Sequence, residues 1–137
     1  MSNPTEPAVL HLRAKRWVPY DDKIIIRGVD LTGAALKAQV RLYPDAPGDP
    51  LISLEQTVPL AQGLSVSVAD DEGVPVSTIR MLINETTIEQ LLPFATNGTE
   101  PGAEVKLSWD MLITVVGMRK ARWFAGNFII VPGSTQI

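Results

Sequence analysis

Two stretches of the chain alternate between apolar and mostly polar positions. Leu36, Ala38, Val40 and Leu42 are separated by Lys37, Gln39, Arg41 and Tyr43. Further on, Val105, Leu107, Trp109, Met111, Ile113 and Val115 interleave with Lys106, Ser108, Asp110, Leu112 and Thr114. A period of two sends one set to one face of a pleated strand and the other set to the opposite face. Such strands suit antiparallel sheets that cover a shared core and keep one wet face each.

Weaker signals fill in the rest. Val9 to Val18 reads as a first strand, with Leu10, Leu12 and Ala14 on one side and His11, Arg13 and Lys15 on the other. Pro19 to Asp22 is expected to turn the chain into Lys23 to Arg27, a short β-branched run suited to a sheet interior. In Asp30-Leu31-Thr32-Gly33, Asp30 or Thr32 can bond the following backbone, and Gly33 can take the positive φ that closes the turn. The strand Ala35 to Tyr43 then runs into a loop with three prolines, Pro44 to Pro50, after which Leu51 to Leu54 can return beside it. Leu64, Val66 and Val68 alternate with serines, the acidic turn Asp70 to Gly73 follows, and Val76 to Ile83 forms another strand with Ser77, Ile79, Met81 and Ile83 on one face.

Asn84 to Phe94 is the only helix candidate. Thr86 as N-cap with Glu89 three residues on makes a capping box, and Pro93 ends the run. The last strand is expected from Lys120 to Val131, with Gly126 marking a bulge or a close backbone approach. Trp109 and Trp123 are expected to meet across the sheet or to fill its centre. The sum is a mainly all-β fold: an antiparallel β-sandwich or partly closed barrel with one short helix. Residues 1–8 read as a flexible leader, 9–133 as a single domain and 134–137 as a tail.

Composition narrows the chemistry. With 137 residues, 45% hydrophobic and 20% charged, the chain has enough apolar material for a core without a metal or disulfide. It contains no cysteine, which excludes thiolate catalysis and Cys-ligated zinc. The net charge of −3 gives no reason to expect nucleic acid. The basic cluster Arg119, Lys120 and Arg122 reads as a solvated face beside Trp123. No apolar run approaches the roughly twenty residues of a membrane helix, so no membrane partner is expected.

A site for catalysis is hard to assemble from these residues. His11 is the single histidine and sits between Arg13 and the terminus. Asp70, Asp71 and Glu72 lack the spacing of a calcium loop, and Asp21-Asp22 has Lys23 beside it. Glu104 and Asp110 lie about 20 Å apart along an extended strand, too far for joint acid and base work. A charge pair of Asp110 with Arg41 or Arg80 is the expectation. No enzymatic activity and no cofactor are expected; a hydrolase with a site gathered from distant carboxylates is the least favoured alternative.

Two segments carry a resemblance. Asp30-Leu31-Thr32-Gly33-Ala34-Ala35-Leu36-Lys37-Ala38-Gln39-Val40-Arg41 resembles the turn and strand of small tailed-bacteriophage proteins of tail, baseplate or tail-fibre modules. Trp109-Asp110-Met111-Leu112-Ile113, together with Arg122 through Thr135, is similar to their closing hairpin. The resemblance implies a structural or adaptor role in the virion tail, assembled in the host cytoplasm. Its partners would be other tail or baseplate proteins, or further copies in a homo-oligomer. Phe124, Tyr20, Trp17, Phe94 and Phe128 are the candidate contact aromatics, each weighed against a place in the core. The alternative is a sandwich module for a carbohydrate or host protein, favoured if Trp17 and Tyr20 stand exposed near Asp21 and Asp22.

Overall fold

A computed structural model of the chain describes residues 3–90 and 103–134. Among the described residues, nine strands and one short helix follow in order: β1 (Ala8–Val9), β2 (Leu12–Lys15), β3 (Tyr20–Arg27), β4 (Ala35–Arg41), β5 (Ile52–Glu55), β6 (Gly63–Asp71), β7 (Val74–Ile83), α1 (Glu85–Gln90), β8 (Val105–Thr114) and β9 (Ala121–Val131). They form two sheets. The larger runs β1-β9-β8-β4-β5, with β2 also on β9, and the smaller runs β3-β7-β6. Among the described residues this is an all-β, sandwich-like arrangement without barrel closure. Near the β5–β6 side, an isolated parallel bridge between Gln56 and Leu64 links the layers.

The alternation seen in the sequence decides what faces inward, except at Leu42, which lies past the end of β4 and is exposed. Leu36, Ala38 and Val40 of β4 are buried, as are Val105, Leu107, Trp109, Met111 and Ile113 of β8. From the smaller sheet, Leu64, Ile79, Met81 and Ile83 join them in one core cluster. Ser77 lies on the same inward face with no exposure, its hydroxyl accepting from the Leu31 amide at 3.0 Å and donating to the Val29 carbonyl at 2.6 Å. That pair of bonds fastens the Asp30–Gly33 turn to the core. Within the turn Asp30 accepts from the Thr32 amide at 2.9 Å, and Gly33 has φ 75°. The acidic turn is the two-residue connection Glu72-Gly73, both with positive φ, as the twist of a tight hairpin demands.

Several expectations need correction. The first strand is two short strands, both parallel to β9, with a break at Leu10-His11. Side-chain alternation is the same in parallel and antiparallel ladders, so it does not carry that distinction. The turn comes earlier than Pro19–Asp22: Trp17 takes φ 78°, and Tyr20 to Asp22 already belong to β3. Lys23 to Arg27 does not lie in a sheet interior, because among the described residues β3 pairs only with β7 and so forms an edge. The N-terminal boundary of α1 is Asn84, not Thr86. The Asn84 carbonyl accepts from the Thr87 and Ile88 amides, while Gln62 Oε1 accepts from the Asn84 amide and the Thr87 hydroxyl, both at 2.8 Å. The proposed end of the helix at Pro93 lies outside the described residues.

In β9 the bulge falls at Trp123, since Met111 pairs with Phe124 and Leu112 with Arg122. The extra residue puts Trp123 and Phe124 into the interior side by side, 8% and 9% exposed. Gly126 is instead the point of close approach. A Cβ there would lie 2.8 Å from the Leu10 carbonyl carbon and 3.2 Å from His11 Nδ1. The backbone contact lets the Trp109 indole N–H reach the Leu10 carbonyl at 2.8 Å.

Candidate functional site

The outward residues of β4, β8 and β9 form the floor of an open groove of about 960 Å³. Register sets the floor: Gln39 lies beside Asp110, Arg41 beside Ser108, and Ser108 beside Asn127. One wall is the proline loop, which folds back over the sheet because Arg41 holds it. Arg41 Nη1 donates to the carbonyls of Ala46 at 2.9 Å and Gly48 at 2.7 Å, and Nη2 donates to Gln39 Oε1 at 3.1 Å. Asp45 and Gly48 take positive φ, and Ala46 is tucked in at 9% exposure. Pro7 contributes to the lining from the N-terminal side.

The groove is electrostatically mixed. Arg122 Nε donates to Asp110 Oδ2 at 2.9 Å, so the expected pairing of Asp110 with Arg41 or Arg80 is not made. Arg80 forks instead onto Asp21, at 2.8 and 2.6 Å. The exposed Lys106 adds a cation to the lining, and Tyr43, 55% exposed, adds an aromatic surface. Hydrogen-bonding side chains and both signs of charge under an apolar rim suit an extended polar chain. Among the described residues, no three His, Asp or Glu side chains come together as a metal site.

The contact aromatics read from sequence lie elsewhere. Tyr20, Phe124 and Phe128 are core residues, at 6%, 9% and 0% exposure, and the Tyr20 and Phe128 rings meet edge to face at 5.7 Å. The Tyr20 hydroxyl donates to Asp22 Oδ2 at 3.2 Å, and burial is the main reason its proton is held more tightly than usual. Trp17 is half-buried at the β2–β3 turn, so an exposed Trp17–Tyr20 pair beside the acidic residues is not formed. Phe94 lies outside the described residues. Sequence reasoning did not single out Tyr43, Lys106, Asn127 or the Arg122–Asp110 pair as one surface. The outward parity of β4 and β8, taken together with the proline loop that follows β4, was the available signal.

Comparison of the chain with protein-family models, with curated proteins and with solved structures finds no match. Among the described residues, no helix is long and apolar enough to cross a membrane.

Proposed function

We propose that this protein is a structural or adaptor component of a bacteriophage tail, baseplate or fibre assembly, acting through protein–protein contacts. The reading is supported by one observation above others. The two segments that resemble small phage tail proteins, 30–41 and 109–135, are far apart in sequence yet supply neighbouring strands. Ala38 pairs with Met111 and Trp109 with Gly126. The groove lies on the outer face of that three-stranded unit, where a segment of another tail protein would meet side chains of both charges and a Tyr43 rim.

Mass spectrometry of purified particles from a strain carrying the gene tests this reading. The protein is expected in virions or tail-assembly intermediates. A double variant, Tyr43→Ala with Lys106→Glu, is expected to fold normally and to be lost from them. Absence of the wild-type chain from both fractions overturns the proposal. A second reading, a module for a carbohydrate or host protein, has Tyr43 beside the Asp110–Arg122 pair in its favour. Glycan-array binding abolished by Tyr43→Ala would move the assignment there.

A further inference from the structure

The smaller sheet ends at β3, which pairs only with β7 among the described residues. In an antiparallel ladder, successive residues turn their backbone groups to opposite sides. The Gly28 amide donates to Pro75 at 2.8 Å, continuing the β7 side, whereas the Lys23 amide donates to the Asp22 carboxylate at 2.8 Å and so points away from β7. Asp21, Lys23, Ile25 and Arg27 therefore aim their N–H and C=O groups into the open edge. The same four residues have side chains on the outer face, and Ile25 is 67% exposed there.

We infer that this edge pairs with the same edge of a second copy, joining two smaller sheets into one six-stranded antiparallel sheet. Charge chooses the register. Only odd-numbered residues can exchange hydrogen bonds across the new seam, so the alignments differ by whole residue pairs. One alignment sets Asp21 against Arg27, Lys23 against Ile25, and Ile24 against its own copy at the two-fold axis. Moving one step sets Lys23 against Lys23, or Lys23 against Arg27; a further step sets Asp22 against Asp22 in one direction, and in the other leaves, of the odd-numbered residues, only Ile25 against Arg27 within the strand, with no acid–base contact. Like charges directly opposite are destabilising, so the first alignment is selected.

That alignment also extends what each chain already builds. Asp21 is bonded to Arg80, and Arg27 to Asp71. Across the seam the order becomes Arg80, Asp21, then Arg27 and Asp71 of the other copy, with signs alternating along each of two symmetric rows. Ile24 and Ile26, half-buried on the inner face, and Ile25 on the outer face would lose further exposure. The Asp22 carboxylate must release the Lys23 amide first, an inward-facing charge that keeps the edge from capturing unrelated strands.

The inference stands on the strand edge and not on the virion role, so the two can fail separately. Sedimentation of the full chain should show a monomer–dimer equilibrium. Asp21→Arg and Arg27→Glu should each weaken it by about tenfold or more, because each puts like charges at both symmetric contacts. Mixing the two variants should restore association, since the new arginine of one faces the new glutamate of the other. Ile25→Pro should abolish pairing while circular dichroism stays unchanged, because that N–H points away from β7 and serves no bond among the described residues. A wild-type protein monomeric up to on the order of 500 μM overturns the inference. So does a dimer that both charge variants leave intact, or a mixture that does not re-associate.

Discussion

Gly126→Ala is the sharpest probe of how the N-terminal strands are held. In the middle of a strand, exchanging glycine for alanine ordinarily stabilises by about 0.5–1 kcal/mol, because less backbone entropy is lost. Here the added methyl would sit 2.8 Å from the Leu10 carbonyl carbon, with backbone rather than a flexible side chain in the way. Leu10 must withdraw, and three bonds go with it: Leu10 N–H to the Ala125 carbonyl at 2.9 Å, the Trp109 indole to the Leu10 carbonyl at 2.8 Å, and the Asn127 amide to His11 Nδ1 at 3.0 Å. At about 1 kcal/mol each, with an added penalty for an indole only 2% exposed, the expected loss is about 2–4 kcal/mol. For a chain of this size that lowers Tm by about 10 °C. Urea denaturation followed by tryptophan fluorescence gives the number, and hydrogen exchange at the Leu10 and Asn127 amides shows where protection is lost. Asn127→Ala is the control, expected within about 0.5 kcal/mol because its exposed side chain takes no part in these bonds. The sign decides the matter: a Gly126→Ala protein as stable as wild type, or more so, refutes the close-approach argument.

Ser77→Ala should destabilise by about 2–3 kcal/mol, since it strands the Leu31 amide and the Val29 carbonyl in the interior. The urea midpoint should fall with the m-value unchanged, and a shift worth less than about 0.5 kcal/mol would contradict the assigned role. Tyr20 yields a pH prediction. Its folded-state pKa is raised above the ordinary tyrosine value of about 10 by burial first and by Asp22 second. Above about pH 10 the unfolded chain releases this proton while the folded chain retains it, so stability is full below that pH and falls as pH rises. Tyr20→Phe should flatten the alkaline limb of a stability profile, and an unchanged slope would show that another group produces it.

Much of the fold was legible because burial acts on single side chains in a fixed alternation. The inward faces of β4 and β8, the inward row Ser77, Ile79, Met81 and Ile83, and the bonds of Asp30 and Gly33 all follow from local pattern and turn chemistry. What escaped was set by partners distant in sequence. A parallel and an antiparallel edge strand look alike, so β1 and β2 gave no sign of their direction. The three isoleucines of β3 express a preference for strand, which edge and interior share. The helix start is held partly by Gln62, and no local capping rule looks that far. Asp110 could reach several arginines by parity alone, and the bulge at Trp123 helped decide for Arg122. The groove depends on Arg41 drawing the proline loop over the sheet, a contact made through backbone carbonyls that carry no residue signature.

The two proposed surfaces belong to different layers, and this has a consequence for assembly. The groove lies on the outer face of the larger sheet, whereas β3 edges the smaller one. The two-fold axis of an antiparallel strand pair is perpendicular to the sheet, so pairing through β3 places both larger sheets on the same side of the joined layer. Both grooves then face the same direction. A partner array offering repeated segments would engage two grooves at once, gaining through effective concentration what one shallow groove lacks. The edge variant Asp21→Arg leaves the groove residues untouched, and the groove variant Tyr43→Ala leaves β3 untouched. If the grooves act as a pair, breaking the edge should weaken binding to a multivalent partner far more than binding to a single segment of it. Equal weakening of both would mean that the groove contact is sufficient in one copy and that the pairing serves some other end.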